Sequence, residues 1–306
     1  MVCIGIPVHH PGIPSASHAI GLARSCPTLV FGSDPLFCAG DSETNFAIMN
    51  LCIQDSIKKR SILGYAMNQD QFKGKTGPGV ALASAIILTW LLHLVWLLQA
   101  PLNIWLILWG IPVQSILFVG LFITGHDAMH GSLAPGYYRI NKTFGSVAVF
   151  LYAAFSYKKL LPKHGLHHRY PGRDRDPDYH NGVNTSFWSW YVNFMKQYLT
   201  FGQLMIMALL FNLLLHVAGF AVWNIILFWV VPALLSTVQL FLFGTYLPHK
   251  EPPGGYDNEH HAQSNAFPVW LSFLTCFHFG YHLEHHLKPQ VPWWQLPRFR
   301  HHRLAE

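Results

Sequence analysis

Charge is what this 306-residue chain has least of: only 11% of its residues are Asp, Glu, Lys or Arg, against about 25% in ordinary soluble domains. Hydrophobic residues make up 51%, which excludes a disordered chain and argues against a soluble enzyme. The deficit is concentrated in two blocks. Thr76 to Gly125 and Gln197 to Pro248, 50 and 52 residues long, contain no charged residue at all. One helical span needs about 20 apolar residues, so each block predicts two spans joined tightly, a membrane hairpin.

Other absences narrow the chemistry. The five cysteines (Cys3, Cys26, Cys38, Cys52, Cys276) are odd in number, scattered and without a CxxC pair, which excludes a disulfide framework or a zinc ribbon. No basic cluster is interleaved with stacking aromatics, as nucleic-acid binding requires. No GxGxxG loop offers a nicotinamide or flavin site, and Gly74-Lys75-Thr76 has Gln69 where a phosphate loop needs glycine. There is no internal repeat and no signal-peptide pattern. Residues 1–75, rich in Ser, Pro and Gly and carrying four of the cysteines, show no sustained apolar period. They stand apart from a domain expected over 76–306, and the sequence leaves open their role and their place in the native chain.

The 20 Lys and Arg residues set the expected orientation. Six lie in residues 1–75, nine between Arg139 and Lys196, five from Lys250 onward, and none at either hairpin tip. Positive charge favours the cytoplasmic side. Both termini and the loop 126–196 are therefore expected there, with the tips near Ala100-Pro101 and Gly219 opposite. Residues 145–157 are apolar but too short to cross and predict an interfacial helix.

Histidine is abundant where charge is not. Of 20 histidines, fifteen lie from His126 onward, leaving aside His216 inside the second block. His126 and His130 are an i, i+4 pair, so both rings leave one helix face. His164, His167 and His168 repeat the device. His278, His282, His285 and His286 follow at i, i+4, i+7 and i+8, a further stripe, and His249 ends the expected fourth span at the depth of His126. One HxxxH pair is often a surface accident. Three clusters on one side of a membrane point to metal, and nine imidazoles exceed the four ligands of one tetrahedral zinc. Two ions with open positions fit the count, and iron is the ion that activates dioxygen at such a site. His93 and His216, alone inside the spans, read as rings paired with a helix neighbour.

The segments HDAMH (126–130), HGLHH (164–168) and HLEHH (282–286) resemble the three histidine boxes of the membrane fatty-acid desaturase and hydroxylase superfamily. Their surroundings, FITGHDAMHGSLAP, RDPDYHNG, FGTYLPHK and LTCFHFGYHLEHHLKPQVPWWQLP, are similar to carotenoid ketolases that convert β-carotene to canthaxanthin. The likeness runs from about residue 78 to about 298. It implies an all-α integral membrane protein, four spanning helices under a cytoplasmic His-rich cap that holds two irons. The implied ligands are His126, His130, His164, His167, His168, His282, His285 and His286, with His249 as the ninth and His278 and His260 in reserve.

Asp127, Asp176 and Asp178 are candidates to hold imidazole N–H groups, although Asp176 and Asp178 equally suit a turn at Pro177. Trp188, Trp190, Tyr191, Trp293 and Trp294 could wall a polyene channel or form an interfacial belt. The implied reaction is two rounds of O2-dependent oxidation at the allylic C4 of a β-ionone ring, through a gem-diol to the ketone. An external electron donor such as ferredoxin is then required. The alternatives are a carotenoid 3-hydroxylase, an acyl-lipid desaturase, or a His-rich metal transporter, whose site would sit at the bilayer midplane.

The charge distribution yields a direct test. Reporter fusions after Gly172 and at the C-terminus should both report cytoplasm, and a fusion near Gly219 the opposite side. A far-side signal at Gly172 would overturn the arrangement.

Overall fold

The computed structural model describes residues 71–305, and among them every regular element is helical. Residues 1–70, hence most of the N-terminal segment, lie outside the described residues. In chain order come α1 (Thr76–Gln99), α2 (Ile104–Met129), α3 (Tyr138–Ala153), α4 (Tyr157–Arg169), α5 (Phe187–Tyr198), α6 (Phe201–Val217) and α7 (Val222–His249). Three short α-helices follow, α8 (Val269–Cys276), α9 (His282–Leu287) and α10 (Leu296–Ala305), the last entered through a 3-10 turn at Trp293–Gln295.

Helices α1, α2 and α7 are each long and apolar enough to cross a bilayer, while α5 and α6 qualify only together and bend by 87° between them. The expected third span, which opens the second hairpin near Tyr198, thus meets a bent pair. Leu199 adopts extended backbone, and the Thr200 hydroxyl accepts from Gln203 N to start α6 afresh. The outward side chains of Leu92, Trp105 and Trp109 are 68%, 70% and 70% exposed. In water that outward apolar surface would be untenable. It faces lipid, and this is an integral membrane protein.

Few polar groups lie within the spans, and two of them tie helices together, as suits a medium without water. The amide of Asn224 donates to the carbonyls of Leu97 (2.9 Å), Leu98 (3.3 Å) and Ala100 (2.9 Å), tying the start of α7 to the end of α1. His93 Nδ1 lies 2.6 Å from Gln114 Oε1 on α2, the helix-neighbour role expected of it. His216 is exposed on the last turn of α6.

The expected interfacial helix over 145–157 is longer at one end and shorter at the other. It starts at Tyr138 because its polar first turn is ordered by buried Asn141, whose side chain bonds the backbone N–H and C=O of Ala134 (3.2 and 2.6 Å). It stops where Ala154 adopts left-handed backbone (φ 54°), which turns the chain into α4. Helix α3 packs along the end of α2 through two glycines. A Cβ at Gly125 would overlap Val149, and one at Gly145 would overlap the Tyr157 ring, whose hydroxyl donates to Ala128 O (2.9 Å). Gly145→Ala should therefore cost about 1–3 kcal/mol, read as a lower thermal midpoint in detergent. An unchanged midpoint would show that this contact is not tight.

Candidate metal centre

The end of α2, helix α4, the end of α7 and helix α9 converge, and each delivers histidines. The rings sort into two groups, within each of which one nitrogen per ring lies within 4.8 Å of all the others. The first holds His126, His130, His164, His168 and His285; the second holds His167, His249, His282 and His286. All nine imidazoles singled out in the sequence are thus brought together. Their division into five and four was not anticipated. Its cause is helical: neighbours on a helix diverge by about 100°, so His167 and His168 enter different groups, as do His285 and His286.

Inner nitrogens nearly touch. Nε2–Nε2 distances are 2.6 Å for His130 and His164, 3.2 Å for His126 and His285, and 3.0 Å for His168 and His285. In the second group His286 Nε2 lies 3.1 Å from Nε2 of both His167 and His282. Each neutral ring has one proton for two nitrogens, so five mutually facing rings cannot all be satisfied by hydrogen bonds. Buried His249 Nε2 has no hydrogen-bond partner, and its Nδ1 is anchored 2.8 Å from His261 O. Converging lone pairs with an orphaned nitrogen fit a cation in each group.

Burial first, and neighbouring imidazoles second, hold the pKa values of His130, His164, His168, His282, His285 and His286 below the ordinary histidine range. These rings are neutral at pH 7, the state that binds metal. His167 is the exception. Burial opposes its charging, but the carboxylates of Asp176 and Asp178 outweigh burial and raise its pKa.

The three aspartates do different things. Asp176 accepts from His167 Nδ1 at 2.9 and 3.0 Å, and from the backbone N–H groups of Gly172 (2.8 Å) and Asp178 (2.9 Å). Burial favours its protonation, but His167 prevails and its pKa is lowered. Asp178 lies 3.7 Å from His167 Nδ1 and accepts from the Tyr198 hydroxyl. Burial pushes its pKa up to about 6. Asp127 is 3.6 Å from His126 Nδ1, beyond hydrogen-bond reach, and instead accepts from Trp293 N (3.1 Å).

The reserve histidines stand outside both groups. His278 is not on a stripe with His282, because Phe277 and His278 both adopt left-handed backbone (φ 48° and 63°) and the helix restarts only at His282. Its ring packs against Trp293 and Tyr281. The His260 ring centroid is 5.8 Å from that of His286.

An apolar cavity opens onto both groups, meeting His126, His164, His167 and His282. Its walls are Phe122, Tyr152, Phe155, Phe194 and Phe279, none of them foreseen, since aromatics at helical spacing read as core. The tryptophans that were weighed for a channel serve elsewhere. Trp190 is buried and donates to Asp178 O (2.7 Å), and Trp188 is exposed.

The family model for fatty acid desaturases matches residues 103–306. The chain belongs to the fatty acid desaturase family. Within that family it is 43% identical over 231 residues to a beta-carotene ketolase of Paracoccus sp. (strain PC1), spanning 74% of this chain and 94% of the relative. A second beta-carotene ketolase, from Paracoccus sp. (strain N81106 / MBIC 01143), is 39% identical over 74% of this chain and 93% of its own. A zeaxanthin 4-ketolase of Chlamydomonas reinhardtii is 38% identical over 72% of this chain and 53% of its own.

In this desaturase-family protein, Asp176→Asn should weaken metal retention about 10- to 100-fold, measured by dialysis of the purified protein against graded chelator. Wild-type retention would show that Asp176 only shapes its loop through Gly172 and Asp178.

Proposed function

We propose that this protein is a membrane carotenoid 4-ketolase, which converts β-carotene through echinenone to canthaxanthin. The observation that carries the reading is the 43% identity to a beta-carotene ketolase across 94% of that relative. The apolar cavity, which meets four of the nine clustered imidazoles, is the site such a reaction needs. The ligand set is His126, His130, His164, His168 and His285 for one iron and His167, His249, His282 and His286 for the other. Bound iron in such a pair of sites supplies the reductive activation of O2.

The protein's own groups bind, orient and exclude water. Asp176 fixes the His167 tautomer by taking its Nδ1 proton in a hydrogen bond, which leaves Nε2 free to face the second group. The aromatic walls exclude water and fit a hydrocarbon ring. Per ring, a C4 methylene, two O2, four electrons and four protons give a ketone and three waters. The first round yields the alcohol, and the second a gem-diol that dehydrates. Electrons come from an external carrier such as ferredoxin. We place four spans in the membrane, counting α5 and α6 as one, with both termini and the irons on the cytoplasmic side, as the distribution of Lys and Arg supports.

Purified active protein should contain about two irons per chain, and one zinc without iron would sink the reading. His126→Ala, His167→Ala and His285→Ala should each abolish turnover at unchanged membrane abundance. In a β-carotene host the wild type should redden the cells, because a C4 carbonyl extends the polyene. Zeaxanthin alone would mean a 3-hydroxylase, and new double bonds in membrane lipids an acyl desaturase.

A further inference from the structure

A hydroxyl bonded to a carboxylate is carried by one residue lining the cavity. Tyr198, the last residue of α5, lines it beside His126, His164, His167 and His282, and its hydroxyl donates to Asp178 Oδ1. A phenol has one proton. With that proton committed to a carboxylate, the oxygen can only accept. Of the other hydroxyls on the wall, Thr237 donates to Leu234 O (2.7 Å) and sits 2.6 Å from Tyr191 Oη, and Tyr152 accepts from Ser236 Oγ (3.1 Å); Thr245 and the Asp178 carboxylate line it as well. Around them the surface is largely apolar, from Phe122, Phe155, Leu160 and Leu240.

On the ketolase reading, on which this inference rests, the cavity holds three forms of one ring in turn. The hydrocarbon has no polar group, the C4 alcohol has an O–H donor, and the ketone has only an acceptor. An acceptor-only oxygen in an apolar wall holds the second and neither of the others.

We propose that the Tyr198 hydroxyl, oriented by Asp178, binds the 4-hydroxyl of the half-oxidised ring and so makes the enzyme finish at the ketone. The bound alcohol keeps its remaining C4–H toward the imidazole groups. The second oxidation replaces that hydrogen with a hydroxyl, using one O2, two electrons from the external carrier and two protons, and releasing one water. Dehydration of the gem-diol then removes the donor, and the hold on the ring with it.

The test compares the full-length wild type with Tyr198→Phe and Tyr198→Met in a β-carotene-producing host. The readout is the ratio of 4-hydroxy to 4-keto carotenoid at matched low conversion. Both variants should raise that ratio about 2- to 12-fold, the range of one neutral hydrogen bond. In isolated membranes the KM for added 4-hydroxy carotenoid should rise relative to that for β-carotene by a similar factor, with metal per chain as in the wild type. If both oxidations slow together at the wild-type ratio, or metal content falls at that ratio, Tyr198 only supports Asp178 and His167 and the proposal is overturned. A wild type that makes no 4-oxygenated carotenoid refutes the ketolase reading itself.

Discussion

Nine imidazoles facing one another in two groups that, among the described residues, include no carboxylate are the constraint around which this molecule is arranged. Aligned lone pairs repel unless a proton or a cation lies between them, and burial disfavours the proton, as the lowered pKa values of His164, His282 and His286 record. A metal ion relieves both problems together. Metal binding therefore contributes to holding α2, α4, α7 and α9 in place, because each of these helices ends or begins at the cluster and turns ring nitrogens toward one another there. The bilayer does the rest, since the long apolar helices need no contact with the cap to remain embedded.

Sharing helices couples the two groups. His126 and His130, a turn apart on α2, enter the same group, whereas the adjacent pairs on α4 and α9 split between the two. A shift of α4 or α9 moves a ligand of each group at once, so the spacing between the groups is a property of two short helices. On α4 one member of the pair is additionally fixed from behind by Asp176. On α7 the corresponding anchor is a backbone carbonyl, that of His261, on His249.

How much of this was legible in the sequence follows from the range of each signal. The uncharged blocks and the i, i+4 histidines are local patterns, and α1, α2, α7 and the cluster of nine rings appear where those patterns place them. Two local readings fail for backbone reasons that periodicity does not show: the left-handed Ala154 that ends α3, and the left-handed Phe277 and His278 that take His278 off the stripe. The cavity was not legible at all. Phe122, Tyr152 and Phe194 come from three different helices and Phe279 from the turn between α8 and α9, and an aromatic on an apolar helix has the same appearance whether it faces core, lipid or substrate. Of the aspartates, Asp176 was distinguishable from Asp127 only through the turn that brings it back under His167.

Helix α9 shows how far the site extends beyond its ligands. Six residues are too few to sustain a helix alone, yet three of the six are His282, His285 and His286. Between them Glu284 is fully buried, and a lone buried carboxylate would be strongly unfavourable. It is compensated from outside the site: Arg300 donates at 3.0 Å, Arg303 at 2.6 and 3.1 Å, and the Ser264 hydroxyl donates as well. Ser264 Oγ in turn accepts from Leu283 N at 3.1 Å, satisfying one of the open donors in the first turn of α9. Removing one side of such a buried ion cluster costs about 3–5 kcal/mol, far more than a six-residue helix can supply. The cationic face of α10, although it touches neither group of imidazoles, is thus the clamp that lets α9 present rings to both.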